Sequence, residues 1–222
     1  MMYLSKITLA PSATLAEHLL MLQRNDAYAA HQLLWQLFHR ESERQFVYRQ
    51  EFQPNGLPLF WVLSVVAPEA THPQWLVQTK PFMPKLQKGQ RLAFKLRANP
   101  TTWNNTTKKR HDVMMHAKYQ AKDRGIDNVQ LAHHMQQAAQ QWLCTPSRLM
   151  QWGISLETAP DIESYTQHHS IKKSAKNPIR FSSVDYQGIL TIQEPEVFLT
   201  QYARGFGRSK SLGCGLMLIR GV

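Results

Sequence analysis

The sequence has 222 residues, of which 43% are hydrophobic, enough for one large domain or two of about a hundred residues each, which excludes wholesale disorder. Its 26 lysines and arginines exceed its 15 aspartates and glutamates, and the net charge of +11 predicts a polyanionic partner, either a nucleic acid or an anionic membrane surface. A bilayer-spanning helix is excluded because no apolar run approaches roughly 20 residues.

The first half of the chain has the patterns of four strands and one strong helix, with at most a short, weak second helix before the fourth strand. Alternating apolar residues predict the strands, which cover residues 3–9, 44–52, 59–66 and 74–79. The helix covers residues 27–38, with Asn25 or Asp26 as its N-cap. At 100° per residue, Ala30, Leu34, Leu37 and Phe38 share one helix face, which should pack on a sheet. Residues 11–23 have only some helical character.

The second half repeats the order with a basic insertion. Strands are predicted at residues 91–98, 149–157 and 216–219, a hairpin at 165–186 with its return strand extended through 188–192, and helices at 128–144 and 195–204. Residues 101–127 are polar and show neither the periodicity of a helix nor that of a strand. Between Lys80 and Arg124 there are 12 lysines and arginines against two aspartates, so this segment is either a flexible arm or a loop ordered on a phosphate backbone.

The repeated order of elements predicts the fold class. Strand, helix, strand, strand, helix, strand is the ferredoxin-like arrangement, an antiparallel sheet with helices on one face. We therefore expect an α+β protein with two tandem ferredoxin-like domains at residues 1–88 and 89–222. Without a Gly/Ser linker between them, the two sheets should dock in a V around a basic cleft.

His31 and Tyr28 form the first candidate site for chemistry. They are three residues apart on the predicted helix, and so are neighbours at the margin of its apolar stripe. A histidine in that position is most often structural. An imidazole that titrates near neutral pH can however transfer the protons that RNA strand scission requires, and the ribose 2′-OH is itself the nucleophile. That route requires no metal.

Rival chemistries have little support in the sequence. His133 and His134 are adjacent on a helix, and His111 and His116 are five residues apart, so none has the spacing of a zinc site. The acidic residues offer no pair for two-metal nuclease chemistry. Cys144 and Cys214 lack metal spacing and favour a reducing compartment. No cofactor is expected, and with no signal peptide in the N-terminal residues we expect a cytoplasmic protein.

Basic residues on predicted loops and hairpin tips are candidates for phosphate contacts. Each alone is more often a solvated surface residue; as a set they are Lys108, Lys109, Arg110, Lys172, Lys173, Lys176, Arg208 and Lys210. The last two lie between glycines Gly205, Gly207, Gly213 and Gly215, a density that predicts a loop held against another surface. The segment is neither a Walker loop nor a dinucleotide fingerprint. It is either a phosphate-binding loop or a turn before the last strand. Trp103 is a candidate for base stacking.

Six segments together resemble the CRISPR repeat-processing endoribonucleases of the type I-E Cascade, the CasE family. The resemblance spans the chain through MYLSKITL (2–9), AYAAHQLLWQLF (27–38), RLAFKLRANPTTW (91–103), KKRHDVM (108–114), YQGILTI (186–192) and GFGRSKSLGCGL (205–216).

This resemblance implies two ferredoxin-like domains and metal-independent cleavage of precursor CRISPR RNA at the 3′ base of each repeat stem-loop. The products are a 2′,3′-cyclic phosphate and a 5′-OH, and the hairpin stays bound as the protein joins the other Cascade subunits. The family's catalytic histidine falls on His31 and its assisting tyrosine on Tyr28. Members also use Arg and Lys later on that helix, where this sequence has Gln32 and Gln36.

Two further expectations concern the RNA-binding surface. The resemblance implies a basic pair on the second domain's hairpin, between Lys172 and Arg180. With the chemistry assigned to His31, we expect the glycine-rich loop to bring Arg208 and Lys210 toward the cut strand. Two other functions stay open, a non-catalytic subunit that binds an RNA hairpin and a generic basic adaptor for DNA.

Overall fold

The computed structural model describes residues 1–11, 14–170 and 178–222, which form two compact units. The N-terminal unit contains Met1–Lys85, Tyr202–Leu216 and the described ends of His168–Arg180. The C-terminal unit contains Leu86–Gln167, Phe181–Gln201 and Met217–Val222. The division into domains at residues 1–88 and 89–222 stays a prediction, because compactness alone does not establish an independently folding domain.

The N-terminal unit has a four-stranded antiparallel sheet and one long helix. Its strands are β1 (Met2–Leu9), β2 (Phe46–Phe52), β3 (Pro58–Ser64) and β4 (Trp75–Phe82). Their order across the sheet is β2-β3-β1-β4, and every neighbouring pair is antiparallel. Helix α1 (Leu15–Trp35) continues into a 3₁₀ turn at Gln36–Phe38. This strand order is that of a ferredoxin-like sheet, as the sequence predicted.

Helix α1 packs its apolar stripe on this sheet. The predicted face is confirmed, since Ala30, Leu34, Leu37 and Phe38 are all buried in the core of the unit. The predicted start at residue 27 is wrong, because the helix begins twelve residues earlier, at Leu15. Leu15, Leu19 and Leu22 extend the stripe at spacings of four and three residues and pack against the same core. Packing therefore overrides the polar residues that suggested a break.

The C-terminal unit is built on a second antiparallel sheet. Its strands are β5 (Arg91–Ala98), β8 (Ile154–Leu156), β9 (Asp161–Ser170), β10 (Ile179–Ile192) and β11 (Met217–Gly221), and its helices include α3 (Asn128–Leu143) and α5 (Pro195–Arg204). The end of β9, the start of β10 and the end of α5 belong to the N-terminal unit. The order is β11-β5-β10-β8, with β9 also paired to β10. The same ferredoxin-like order confirms the predicted fold class.

The basic segment between residues 101 and 127 is regular, contrary to the sequence-based expectation. It forms a hairpin of β6 (Thr101–Asn104) and β7 (Lys109–Asp112), followed by helix α2 (Val113–Asp123). The Asn104 side chain accepts hydrogen bonds of 2.9 Å from the amides of Thr106 and Thr107, which closes the hairpin turn. The Asp112 carboxylate accepts from the amides of Met114 and Met115 and caps α2. Hydrogen bonds between side chains and the backbone thus stabilise this hairpin and helix, although the segment has no apolar periodicity.

The strand predicted at residues 149–157 is also largely wrong. Residues Pro146–Trp152 form helix α4, and only β8 follows as a strand. Proline at the first turn and Gly153 at the C-terminal end, with φ of 69°, are the usual start and stop signals of a short helix. These end signals outweigh the apolar alternation.

We predict that Phe60→Ala destabilises the N-terminal unit far more than Phe52→Ala. Phe60 is fully buried on β3, whereas Phe52 on the neighbouring strand β2 is 68% exposed. Removing the buried ring should lower the free energy of unfolding by about 3–5 kcal/mol, and the exposed ring by under about 1 kcal/mol. Urea unfolding of the two variants measures the difference. Equal losses would contradict the assignment of the core.

Candidate active site

Helix α1 presents Tyr28 and His31 on the margin of the buried stripe. The His31 ring is half-buried, with its centroid 5.5 Å from the Trp35 ring and 6.0 Å from the Phe46 ring. Tyr28 lies one turn earlier and is also partly exposed. Its hydroxyl accepts a hydrogen bond of 3.4 Å from the Gln32 amide. The helix thus brings an imidazole and a phenol to one edge of the unit.

The surroundings of His31 favour its neutral form. Burial and then the positive charge of Arg44 lower its pKa from the ordinary value. Its Nδ1 atom is buried and has no hydrogen-bond partner among the residues that the structure describes. Because Nδ1 is enclosed, Nε2 is the nitrogen that can accept a proton from a substrate, which it does in the neutral tautomer that carries its hydrogen on Nδ1. At neutral pH the group is a base, with Nε2 as the nitrogen left for a substrate.

Arg44 is the residue of this site that the sequence did not reveal. Its guanidinium is half-buried and donates a hydrogen bond from Nη1 to the carbonyl of Phe46, whose ring contacts His31. Burial lowers the pKa of Arg44 from its usual value, yet arginine stays charged at neutral pH. In the sequence it is merely the first residue of a predicted strand. Only the pairing of strand and helix places it beside the imidazole.

The glycine loop, residues Gly205–Gly215, packs on α1 and β2 within the same unit. It includes a 3₁₀ turn at Lys210–Leu212. The buried Tyr48 of β2 donates a hydrogen bond of 2.9 Å to the Ala27 carbonyl of α1, and its hydroxyl lies 3.4 Å from the Ser211 carbonyl. The Tyr48 side chain therefore joins β2 to the glycine loop and to helix α1, which carries the candidate catalytic residues.

Close approach explains the glycines of this loop. Positive φ values between 75° and 91° are found at Gly205, Gly207, Gly213 and Gly215. Residues other than glycine rarely adopt this backbone conformation. A Cβ at Gly213 would lie 3.3 Å from Cε2 of Tyr48, and one at Gly205 would lie 2.8 Å from a methyl carbon of Val47. The loop is therefore held against β2 at a distance that only glycine allows.

Lys210 extends the positive charge of the loop toward Arg44. It is half-buried, and its Nζ donates a long hydrogen bond of 3.5 Å to the Gly205 carbonyl. Burial and the charges of Arg44, Arg204 and Arg208 lower the pKa of Lys210. The structure thus brings together, in one unit, the predicted residues His31, Tyr28, Arg208 and Lys210.

The other predicted phosphate-binding residues lie on the β6–β7 hairpin, on β10 and outside the described residues, and Arg180 belongs to the same compact unit as His31. Lys108, Lys109 and Arg110 are exposed on the β6–β7 hairpin of the C-terminal unit, and the Arg110 guanidinium lies 5.6 Å above the ring of Trp103, which is 49% exposed. Arg180 is exposed on β10. Lys172, Lys173 and Lys176 lie outside the described residues. The role of these side chains in binding stays a prediction.

Neither a metal-binding cluster nor a membrane-spanning helix is present in the described part of the chain. It contains no group of three or more His, Cys, Asp or Glu side chains placed to hold a metal ion. Within the same residues, no helix has both the length and the apolar character that crossing a membrane requires.

Comparison with known proteins identifies the family. The model of a family described as CRISPR associated protein matches residues 2–221, nearly the whole chain. The chain belongs to this CRISPR associated protein family.

Individual relatives of this CRISPR associated protein confirm the resemblance that its motifs indicated. The CRISPR system Cascade subunit CasE of Escherichia coli is 29% identical, over 97% of this chain and 98% of its own. The CRISPR-associated endoribonuclease Cse3 of Thermus thermophilus is 27% identical, over 98% of this chain and 99% of its own length. A solved structure of Thermus thermophilus Cse3 bound to an RNA representing a pre-cleavage complex shares the fold, with a TM-score of 0.69, 24% identity and coverage of 99% and 98%.

We predict that Gly213→Val releases the glycine loop of this CRISPR associated protein from Tyr48. Gly56, in the turn between β2 and β3, is a matched control because its φ of +79° is close to the +81° of Gly213, but no atom lies within 4 Å of its Cβ position. Gly56→Val should cost about 1–2 kcal/mol of unfolding free energy from backbone strain alone. Gly213→Val should cost more and speed hydrogen exchange of the loop amides. Equal behaviour of the two variants would show that the Tyr48 contact is not tight.

Proposed function

We propose that this protein is an endoribonuclease that cleaves precursor CRISPR RNA at the 3′ base of the repeat stem-loop. The product hairpin stays bound, and the protein serves as a Cascade subunit. The observation that carries the proposal is the half-buried His31 ring, one helical turn from the Tyr28 hydroxyl and in one unit with the cations Arg44 and Lys210. Support also comes from the family and from relatives named as CRISPR endoribonucleases and as a Cascade subunit.

The proposed cleavage uses the ribose 2′-OH of the RNA as its nucleophile and needs no metal. His31 removes the proton of the ribose 2′-OH, whose oxygen attacks the adjacent phosphorus. The O2′–P bond forms as the P–O5′ bond breaks, and the 5′ oxygen leaves with the electron pair and takes a proton. Tyr28, one helical turn before His31, is the hydroxyl suited to deliver that proton. The products are a 2′,3′-cyclic phosphate and a 5′-OH.

The basic side chains outside the catalytic helix hold the RNA in this proposal. Long cationic residues on loops and hairpin tips reach phosphates and set the register of the duplex. We assign this role to Lys108, Lys109, Arg110, Lys172, Lys173, Lys176, Arg180 and Arg208. The glycine loop, through Gly205, Gly207, Gly213 and Gly215, keeps its own backbone close to the strand that is cut.

We predict that the wild-type protein cleaves repeat RNA from the CRISPR array of its source organism in the presence of EDTA. His31→Ala should lower the single-turnover rate at least about 100-fold, because a general base typically contributes 10²–10⁴-fold. His39→Ala is the control, since His39 is an exposed histidine of the same chain segment that pairs with Glu69. It should cleave like the wild type.

The outcomes separate three alternatives. Full dependence on Mg²⁺ would refute the metal-independent mechanism, and undiminished cleavage by His31→Ala would refute the assignment of the base. Binding of the hairpin without cleavage by the wild type would instead show a non-catalytic RNA-binding subunit. The specific feature in favour of that second function is the presence of Gln32 and Gln36 where family members use basic residues.

The lowered pKa of His31 predicts the pH dependence of cleavage. Because the neutral imidazole is the active form, kcat/KM should fall as pH decreases through the pKa of the free enzyme. Burial and Arg44 put that pKa below the ordinary histidine value of about 6.5, so more than half of the activity should remain at pH 6.5, and activity should decline at more acidic pH. A kcat/KM profile between pH 4.5 and pH 8 measures this. An acidic limb centred above pH 7 would contradict the burial argument.

A further inference from the structure

Arg44, beside His31, belongs to a group of cations that form no ion pair with the described carboxylates. Arg44, Arg204, Arg208 and Lys210 interact electrostatically with one another or with His31, and none forms an ion pair with a carboxylate among the residues described in the structure. Arg44 and Lys210 are moreover half-buried. Removing a cation from water is costly unless an anion compensates it. The arrangement is therefore that of a preformed anion site.

Arg44 is oriented for such a role. Its Nη1 atom is fixed on the Phe46 carbonyl, and no other hydrogen bond joins the guanidinium to the described residues. The remaining N–H groups form the planar fork that binds two phosphate oxygens at once. Phe46 also contacts the His31 ring, at 6.0 Å between centroids, so one strand residue positions both the cation and the base.

The part of helix α1 that follows His31 carries no basic residue. The residues after His31 that face solvent, Gln32 and Gln36, are exposed amides, and the Gln32 amide is engaged with the Tyr28 hydroxyl. A neutral amide contributes hydrogen bonds but not the charge needed to offset a phosphorane. Among the described side chains, Arg44, just before β2, is the cation that acts on His31, and Lys210 of the glycine loop interacts electrostatically with Arg44.

We propose that Arg44 is a catalytic residue of this protein and that its guanidinium, together with the Lys210 ammonium, contacts the phosphate that His31 attacks through the 2′-OH. This inference rests on the proposed function, because it assigns the groups that bind the reacting phosphate in that reaction. Attack of the 2′ oxygen adds one negative charge to the phosphate, and the charge leaves with O5′ as the proton arrives. Fixed donors aimed at the developing charge lower the barrier.

Single-turnover cleavage with saturating protein tests the catalytic role. Arg44→Gln should lower the rate at least about 100-fold, the usual effect of removing one preorganised donor. Arg44→Lys should retain part of the rate, since it keeps the charge but loses the fork. Arg40→Gln is the matched control, because it removes an exposed arginine and should change the rate by less than about threefold. A wild-type rate in Arg44→Gln overturns the proposal.

A binding experiment tests the contact without any cleavage. The repeat hairpin carries a 2′-deoxy nucleotide at the cut, and its phosphate there is either native or a neutral methylphosphonate. Replacing the native phosphate at the cut by the methylphosphonate should weaken RNA binding by both proteins. The loss should be at least about tenfold larger for the wild type than for Arg44→Gln, as expected for a close charge pair. Equal losses overturn the contact.

The two experiments distinguish a failure of the proposed function from a failure of the proposed role of Arg44. If the wild-type protein does not cleave but the coupling to the methylphosphonate is present, the proposed function fails and the phosphate site stands. If the wild type cleaves and no coupling is present, the function stands and the role of Arg44 fails. A methylphosphonate placed within the stem, away from the cut, should show no coupling and controls for general loss of charge.

Discussion

The hydroxyl of Tyr48 is the contact on which the candidate site depends. It is fully buried, and it donates to the Ala27 carbonyl one residue before Tyr28 while facing the Ser211 carbonyl of the glycine loop. A buried hydroxyl left unpaired costs about 1–3 kcal/mol, so the strand, helix and loop are held in one mutual arrangement. The glycine at position 213 follows from the same contact, because any side chain there would meet the Tyr48 ring.

Electrostatics and burial act in the same direction at His31. Desolvation and the Arg44 charge both favour the neutral imidazole, while Arg44 and Lys210 carry charge that no nearby carboxylate of the described chain offsets. A carboxylate in this place would restore the solvation balance of the free protein, but it would raise the histidine pKa and repel a phosphate. The site is therefore less stable by itself than a paired one and more suitable for an anion.

Periodic packing was predictable from the sequence, and contacts between distant residues were not. The face of α1 formed by Ala30 and Leu34 followed from spacing alone, and the ferredoxin-like fold class followed from the repeated order of the predicted elements. The hairpin and helix of residues 101–123 were missed because Asn104 and Asp112 stabilise them through side-chain to backbone hydrogen bonds, which leave no hydrophobic period. Arg44 was missed because its partner, Phe46 beside His31, is defined only by how β2 lies against the helix.

The chain order of the site has a consequence for biosynthesis. Tyr48 and Ser211 are separated by 163 residues, yet they belong to one compact unit whose other elements are all complete by Lys85 apart from the described ends of His168–Arg180. Domains commonly fold from the N-terminus as synthesis proceeds. Here the sheet and α1 can assemble early, with the edge that bears His31 still lacking its cationic neighbour Lys210. The finished site exists only after almost the whole polypeptide has left the ribosome, so an incomplete chain presents His31 and Arg44 without the second cation, Lys210.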